Sequence, residues 1–423
     1  APIAPPLIPY LMHRPLHPMS RLVASALAGT ALLVALTPCA RATSSRRSAG
    51  ERGAAAQRHS LATTRGLLLR RRTGPQLSGP LAARRSCRAA GAGLVQCLPD
   101  IIFAGQSKAG TTSVSRALAG HPAVDLQRNM DMNNITGPGG KAFDEEAHIF
   151  DYHRRSRDAL ERRHWATAPV VTEARAGSAL LLQYTPNYMY YPDAPLNILE
   201  VYPNARSIKY IFMLREPVQR AVSSYKFHKR VTLEMRSLEG AMRDGMRQRR
   251  ALEACYAEQL PKGGRTAKRV DELPPREMRQ VLDTCFWKKR KTHDTTVPPE
   301  LPMTLMHGHV DKSVYVDQLR RWFSLVGREN CFVFSLEEWM ADAHAVFSKM
   351  TDFVGLEMVG PLGYPSEEAL NQTLSKRLNK ISEDSDSPRK KDKGPPVALL
   401  EELQEFYRPY NQALFELIGR NLW

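Results

Sequence analysis

The sequence predicts an α/β fold, a three-layer sandwich with a mostly parallel central sheet flanked by helices. Three observations predict it. Residues 99–105 (PDIIFAG) and 208–214 (IKYIFML) are short apolar runs of strand type, and each leads into a segment of helix character. Further on, residues 314–326 (VYVDQLRRWFSLV) place apolar side chains at helical spacing, 331–335 (CFVFS) read as a strand, and 336–355 continue as helix. Strands that alternate with helices in this way belong to parallel sheets. A chain of 423 residues that is 43% hydrophobic is too long for a small stapled module and too apolar for a disordered one.

The first 97 residues differ from the rest. They hold 14 Arg, no Lys and a single acid, Glu51, whereas the remainder is close to balanced, with 46 basic and 42 acidic residues. The net charge of +17 is therefore concentrated in the N-terminal extension, and the folded body gives no case for a nucleic-acid partner. Residues 1–21 carry His13, Arg14, His17 and Arg21 ahead of a charge-free run at 22–36 (LVASALAGTALLVAL). Its length falls between a secretory h-region and a spanning helix of about 20 residues. It reads as a signal anchor over 22–39 with a cytosolic segment before it, or as a signal peptide cleaved near Ala40-Arg41-Ala42. Arg41, Arg46 and Arg47 just beyond it disfavour the anchor, and an Arg- and Ser-rich, acid-poor stretch also fits an organelle transit peptide. Residues 40–97 read as a disordered basic stem, and 98–423 as the folded domain, with 231–312 an insertion in it.

The first strand ends in Gly105 and is followed by Gln106-Ser107-Lys108-Ala109-Gly110-Thr111-Thr112-Ser113, which opens a helix. Strand, glycine-bearing loop and helix start bring backbone N–H groups and the helix dipole to one anion. Lys108 adds a mobile charge, and Thr111 and Thr112 add hydroxyl donors. A nucleoside-triphosphate loop would read GxxxxGK[ST]. Gly105 and Gly110 have that spacing, but Thr stands at 111 and the lysine lies two residues before Gly110. The second strand is followed by Arg215-Glu216-Pro217-Val218-Gln219-Arg220-Ala221-Val222-Ser223. Pro217 suits the first turn of a helix. Arg215 then lies at the carboxyl end of a strand with Ser223 about two turns into the helix, at the edge where open parallel sheets bind ligands.

The displaced lysine resembles the 5′-phosphosulfate loop of sulfotransferases, which use 3′-phosphoadenosine 5′-phosphosulfate (PAPS). The LRxPxxRxxSxY pattern over 214–225 closely resembles their 3′-phosphate motif and follows the first motif by about a hundred residues. The chain resembles the Golgi-type carbohydrate sulfotransferases of the heparan and chondroitin branch. That resemblance implies a P-loop-type sandwich with Lys108, Ala109, Gly110, Thr111, Thr112, Ser113, Arg215 and Ser223 around PAPS, with no metal required. Between the motifs, Glu145-Glu146-Ala147-His148-Ile149-Phe150 resembles the family's ExHFF element. Glu146 is then the general base with His148 beside it, Lys108 assists the leaving group, and Glu145 is the rival base. Tyr184-Thr185-Pro186-Asn187-Tyr188 resembles the substrate-side (K/S)(T/S)PxY loop, placing Tyr184, Thr185, Pro186 and Tyr188 at the acceptor, with tyrosine where heparan-type members often have lysine.

Residues 231–312, with dense cations such as Lys288-Lys289-Arg290-Lys291, read as a solvated loop or as a cationic rim for a polyanion. Tyr315, Leu319 and Trp322 resemble the family's YxxxLxxW tail and read as core. Residues 406–411 (FYRPYN) resemble its terminal helix, and Lys376, Arg377 and Lys380 fall where its basic loop closes over the cofactor. The six cysteines (39, 87, 97, 255, 285, 331) show no metal-ligand spacing. Cys255 with Cys285 is the disulfide expected in an oxidising compartment, and unpaired thiols are the alternative. Asn134 and Asn371 head glycosylation sequons.

Together these features predict sulfuryl transfer from PAPS to a hydroxyl or amino group of a polysaccharide, in a Golgi lumen reached through a membrane-anchored or cleaved N-terminus. Two other readings stand beside this one: a P-loop kinase using ATP and Mg²⁺, and a polyanion-binding protein without catalysis.

Overall fold

Apolar runs of four to six residues become the strands of a parallel sheet, and the segments between them become its helical covers. The computed structural model describes residues 87–127, 146–151, 156–230, 233–260, 269–288, 308–375 and 394–423. Strands β1 (Cys87–Gly91) and β2 (Leu94–Cys97) form an antiparallel hairpin. β3 (Ile101–Gly105) leads into helix α1 (Thr111–Ala119) and β4 (Val124–Gln127). Helix α2 (Arg157–Thr167), β5 (Val171–Thr172) and α3 (Glu173–Ser178) precede β6 (Leu180–Tyr184) and α4 (Asp193–Val201). β7 (Lys209–Leu214) passes directly into α5 (Pro217–Arg230), with Pro217 in the first turn, where a missing N–H costs nothing. Helices α6 (Leu238–Gln259), α7 (Pro275–Leu282) and α8 (Tyr315–Val326) follow. β8 (Cys331–Ser335) ends the strands, and α9 (Leu336–Ala341), α10 (Ala343–Val354), α11 (Glu367–Leu374) and α12 (Val397–Ile418) complete the chain.

The main sheet has the order β4-β6-β3-β7-β8 with every neighbouring pair parallel. Both faces are covered, which is why β3 and β6 are buried at every residue and read as unbroken apolar runs. Successive side chains still point to opposite faces. Ile101 and Phe103 join the core beneath α1, α10 and α11, whereas Ile102 and Ala104 join the one formed with α4, α8 and α12. From β3 the chain crosses to β4 on one side, and from β7 it crosses to β8 on the other. The carboxyl ends of β3 and β7 therefore flank the point where the connections diverge, which is where such sheets bind ligands.

The fold matches the α/β expectation, and it corrects the reading of several segments. The helix expected over 336–355 is two helices, because Asp342 turns to cap α10 through the Ala345 amide at 2.9 Å. The insertion is no solvated loop where it is described. α6 and α7 place Met242, Met246, Leu252, Met278 and Leu282 in the core, and Trp287 stacks on Tyr191 at 5.9 Å between ring centroids. A disulfide joins Cys255 to Cys285, as expected. A second, unanticipated one joins Cys87 to Cys97 across directly opposed positions of β1 and β2, so the end of the expected stem is a hairpin. Gln96 anchors it by donating from its amide to the carbonyls of Trp165 and Ala168 at 3.0 and 2.7 Å. Cys331 is buried and unpaired with another cysteine. Tyr315, Leu319 and Trp322 are core residues, and Asn371 is exposed on α11. The 22–36 run, Cys39, Asn134, Glu145, the 289–291 cations, Lys376, Arg377 and Lys380 lie outside the described residues. Among the described residues no helix is long and apolar enough to cross a membrane.

The Cys255–Cys285 bridge closes a loop spanning 30 positions. Replacing both cysteines with serine should lower unfolding stability by about 3 kcal/mol. Denaturant melts would show a lower midpoint, and an unchanged midpoint would contradict the role given to the bridge.

Candidate active site

The loop between β3 and α1 is shaped by two glycines. A Cβ on Gly105 would lie 2.5 Å from the Pro186 carbonyl oxygen and 2.8 Å from Met189 Cβ. Gly110 has φ 93° as the N-cap of α1, a conformation open to glycine, and a Cβ there would press on Leu336 and Met213. Between them the backbone is pinned at Gln106, Ser107 and Ala109. The amide of Gln106 donates to Met213 O at 2.7 Å, that of Ser107 to Pro186 O at 3.1 Å and that of Ala109 to Gln106 O at 3.2 Å. Lys108 occupies the left-handed region at φ 68°. Ala109 is fully buried, so its side chain belongs to the core. The amides of Thr111, Thr112 and Ser113 open the helix, and the first-turn N–H groups of a helix have no intrahelical acceptor of the i−4 type. Ser113 N turns back to Gly110 O at 3.1 Å. The buried hydroxyl of Tyr184 lies 3.0 Å from Thr111 Oγ1 and 3.5 Å from Thr112 Oγ1.

The opposite wall is α5. Arg215 reaches back to the Lys108 carbonyl at 3.5 Å, and its own carbonyl accepts from the Tyr315 hydroxyl at 2.7 Å. Its Nε is buried with no protein partner. Ser223 is half-buried about two turns into α5, four residues before Phe227. The Lys108 ammonium rests over the Phe227 ring at 4.0 Å. Burial pushes the Lys108 amine down to about 8, and the charges of Arg230, Arg220 and Arg215 push the same way against Glu146. Four cations thus act on one small volume, a disposition suited to a multiply charged anion.

Glu146 stands at the margin of that volume, close enough that its charge acts on both Lys108 and Tyr184. Its Oε2 lies 2.8 Å from His148 Nε2, and His148 Nδ1 lies 2.6 Å from Asp151 Oδ2. Burial alone would lower the His148 pKa, but the Asp151 and Glu146 carboxylates outweigh it and hold the imidazole protonated. The segment is hung on the loop after β6. The Ala147 amide donates to Tyr184 O at 2.9 Å, that of His148 to Thr185 Oγ1 at 3.0 Å, and that of Ile149 to the Tyr188 hydroxyl at 2.8 Å. Tyr184, Thr185, Pro186 and Tyr188 are buried and engaged in these internal bonds. Where the sequence placed acceptor contacts, the structure places a bracket that joins the Glu146 segment to the phosphate loop.

Residues 99–266, which include Lys108, Glu146, Arg215 and Ser223, match the family described as "Sulfotransferase family". The chain is similar to that family over this segment. It is 23% identical over 343 residues to the heparan sulfate glucosamine 3-O-sulfotransferase 3B1 of Mus musculus, covering 78% of this chain and 66% of that protein. Solved sulfotransferase structures are similar at low identity. That of Alicyclobacillus acidocaldarius has a TM-score of 0.43 at 19% identity, over 77% of this chain and 97% of the other. The sulfotransferase domain of the curacin biosynthetic pathway has a TM-score of 0.31 at 13% identity, over 73% and 97%.

Sequence reasoning brought Lys108, Thr111, Thr112, Glu146, His148, Arg215 and Ser223 to one edge. It assigned no role to Asp151, Arg220 or Phe227. Asp151 could have been found three residues beyond His148, and Phe227 at helical spacing from Ser223. Among the described residues, no group of three or more His, Cys, Asp or Glu side chains could hold a metal ion.

Lys108 carries its charge below a pKa of about 8 in the free protein, and a bound phosphate favours that charged form. Affinity for 3′-phosphoadenosine 5′-phosphate should therefore hold up to pH 8 and fall above it, by up to about tenfold per pH unit. Lys108→Arg should remove the inflection. Calorimetry between pH 6.5 and 9.5 reads it, and a flat profile in the wild type would contradict the role given to the amine.

Proposed function

We propose that the chain transfers the sulfuryl group of PAPS to a hydroxyl or amino group of a glycan. The observation that carries this reading is the gathering of cations at the phosphate loop with a carboxylate beside them: Arg215, Arg220 and Arg230 act on the Lys108 ammonium, Arg215 reaches the Lys108 carbonyl, and the Glu146 charge acts on the same ammonium. The buried, unpartnered Arg215 Nε fits a ligand phosphate. We assign the 5′-phosphosulfate to Lys108 with the amides and hydroxyls of Thr111 and Thr112, and the 3′-phosphate to Arg215 and Ser223. Ala109 and Ser113 shape the loop.

The donor supplies an activated sulfuryl group. Glu146 takes the proton of the acceptor hydroxyl as its oxygen forms the new S–O bond, and the bond to the 5′-phosphate breaks with its electron pair leaving on that phosphate. The Lys108 ammonium and the α1 amides offset the charge that develops there. His148, held protonated, donates to Glu146 Oε2 and fixes the carboxylate's direction, while the other Glu146 oxygen has no described partner. Tyr184, Thr185, Pro186 and Tyr188 hold this segment in register with the loop.

The mouse relative is named for heparan sulfate, which supports a glycosaminoglycan-like acceptor. Two disulfides support an oxidising compartment. With the 22–36 apolar run, they favour a lumenal Golgi enzyme held by a type II anchor, or released by cleavage of a signal peptide. The domain at 98–423 would carry the whole reaction, with Asn371 as an accessible glycosylation site.

Glu146→Gln should leave 3′-phosphoadenosine 5′-phosphate binding intact and reduce sulfuryl transfer from labelled PAPS by about a hundredfold or more. The assay is a panel of glycosaminoglycan acceptors with the wild type and this variant. Equal turnover would remove Glu146 from the mechanism.

A further inference from the structure

Arg220 is fully buried on α5, directly behind the phosphate loop, and among the described residues it pairs with no carboxylate. Its donors reach protein oxygens on two segments that are not otherwise neighbours in the chain. Nε donates to Ser313 Oγ at 2.5 Å, Nη1 to the Ser107 carbonyl at 3.3 Å, and Nη2 to the carbonyls of Gly308 at 3.5 Å and of His309. The 308–313 turn is itself fixed. The His309 ring lies 2.9 Å from Ser224 Oγ and 3.1 Å from Glu234 Oε2, and the Tyr407 hydroxyl donates to Val310 O at 2.9 Å. Gln106, the first residue of the loop, donates its side-chain amide to Lys312 O at 2.7 Å. Loop and turn are thus tied at both Gln106 and Ser107.

Resting on the nucleotide reading above, we infer that Arg220 is a positioning residue: its guanidinium clamps the Ser107 carbonyl to the 308–313 turn and so sets the Lys108 backbone for the 5′ side of the donor. Four donor contacts are already engaged by protein, so the fork is not presented to the 3′-phosphate as Arg215 is. A planar guanidinium can meet acceptors in several directions at once, and an ammonium cannot. Loss of Arg220 should therefore weaken every ligand that uses the 5′ loop, without altering the preference for a 3′-phosphate.

The experiment compares calorimetric affinities of the full chain for 3′-phosphoadenosine 5′-phosphate and for adenosine 5′-monophosphate, which lacks the 3′-phosphate. Arg215→Ala should bring the two affinities together. Arg220→Gln should weaken both by roughly tenfold or more and leave their ratio unchanged. Arg220→Lys should not restore them. Should Arg220→Gln fail to fold, Ser313→Ala removes one contact alone and should weaken both ligands by a smaller, equal factor. A ratio that collapses in Arg220→Gln as in Arg215→Ala would make Arg220 a phosphate ligand and overturn the inference. So would full rescue by lysine, or affinities unchanged in folded Arg220→Gln or Ser313→Ala protein, even with a lowered melting temperature. A wild type that binds neither adenosine ligand would overturn the nucleotide reading and this inference with it.

Discussion

Crowding of like charge at the carboxyl ends of β3 and β7 is the constraint on which the site depends. Lys108, Arg215, Arg220 and Arg230 all act on one volume, and Arg220 is buried among carbonyls and a hydroxyl with no acid beside it among the described residues. Burying cations without partners is costly in a folded protein. Two responses are visible. Carbonyl dipoles of Ser107, Gly308 and His309 surround Arg220, and the Lys108 ammonium rests on the face of Phe227. Glu146 at the margin acts on Lys108 in the same sense, and together these groups offset part of the crowded positive charge.

Rigidity is what converts that charge into chemistry. The loop after β6 is the mechanical link. Pro186 O holds the Ser107 amide on one side, and Thr185 and Tyr188 hold the His148 and Ile149 amides on the other. Glu146 and Lys108 are thereby referred to the same strand. The Glu146–His148–Asp151 chain ends on a fully buried carboxylate, so the orientation of Glu146 is tied to the core of the protein and not to its surface. Preorganisation of this kind lets charge stabilisation act without rearrangement at the moment of transfer.

The alternation of β3, α1, β7, α5, α8 and β8 was legible because strands buried on both faces read as apolar runs and the helices keep a 3.6 period. Lys108, Arg215 and Ser223 were legible because anion loops at strand ends require particular residues at particular offsets. Tyr184, Thr185 and Tyr188 were harder. A polar pattern in a loop cannot reveal that its hydroxyls turn inward to hold amides from a segment 35 to 40 positions earlier. Arg220 stood inside a recognised pattern, but its acceptors at 308–313 lie some ninety positions away, and only folding brings them together. In α6, four arginines are interleaved with Met242, Met246 and Leu252, which carry the packing, and Arg249 is itself buried, so composition alone did not show the helix as core.

We propose that the site between the phosphate loop and α5 is built for an adenosine bisphosphate with a 5′-sulfuryl group to give. Calorimetry of the full chain with 3′-phosphoadenosine 5′-phosphate, set against ADP with Mg²⁺, tests it most directly. A strong preference for the former is expected. Preference for Mg-ADP would contradict it and make the chain a P-loop kinase in its chemistry.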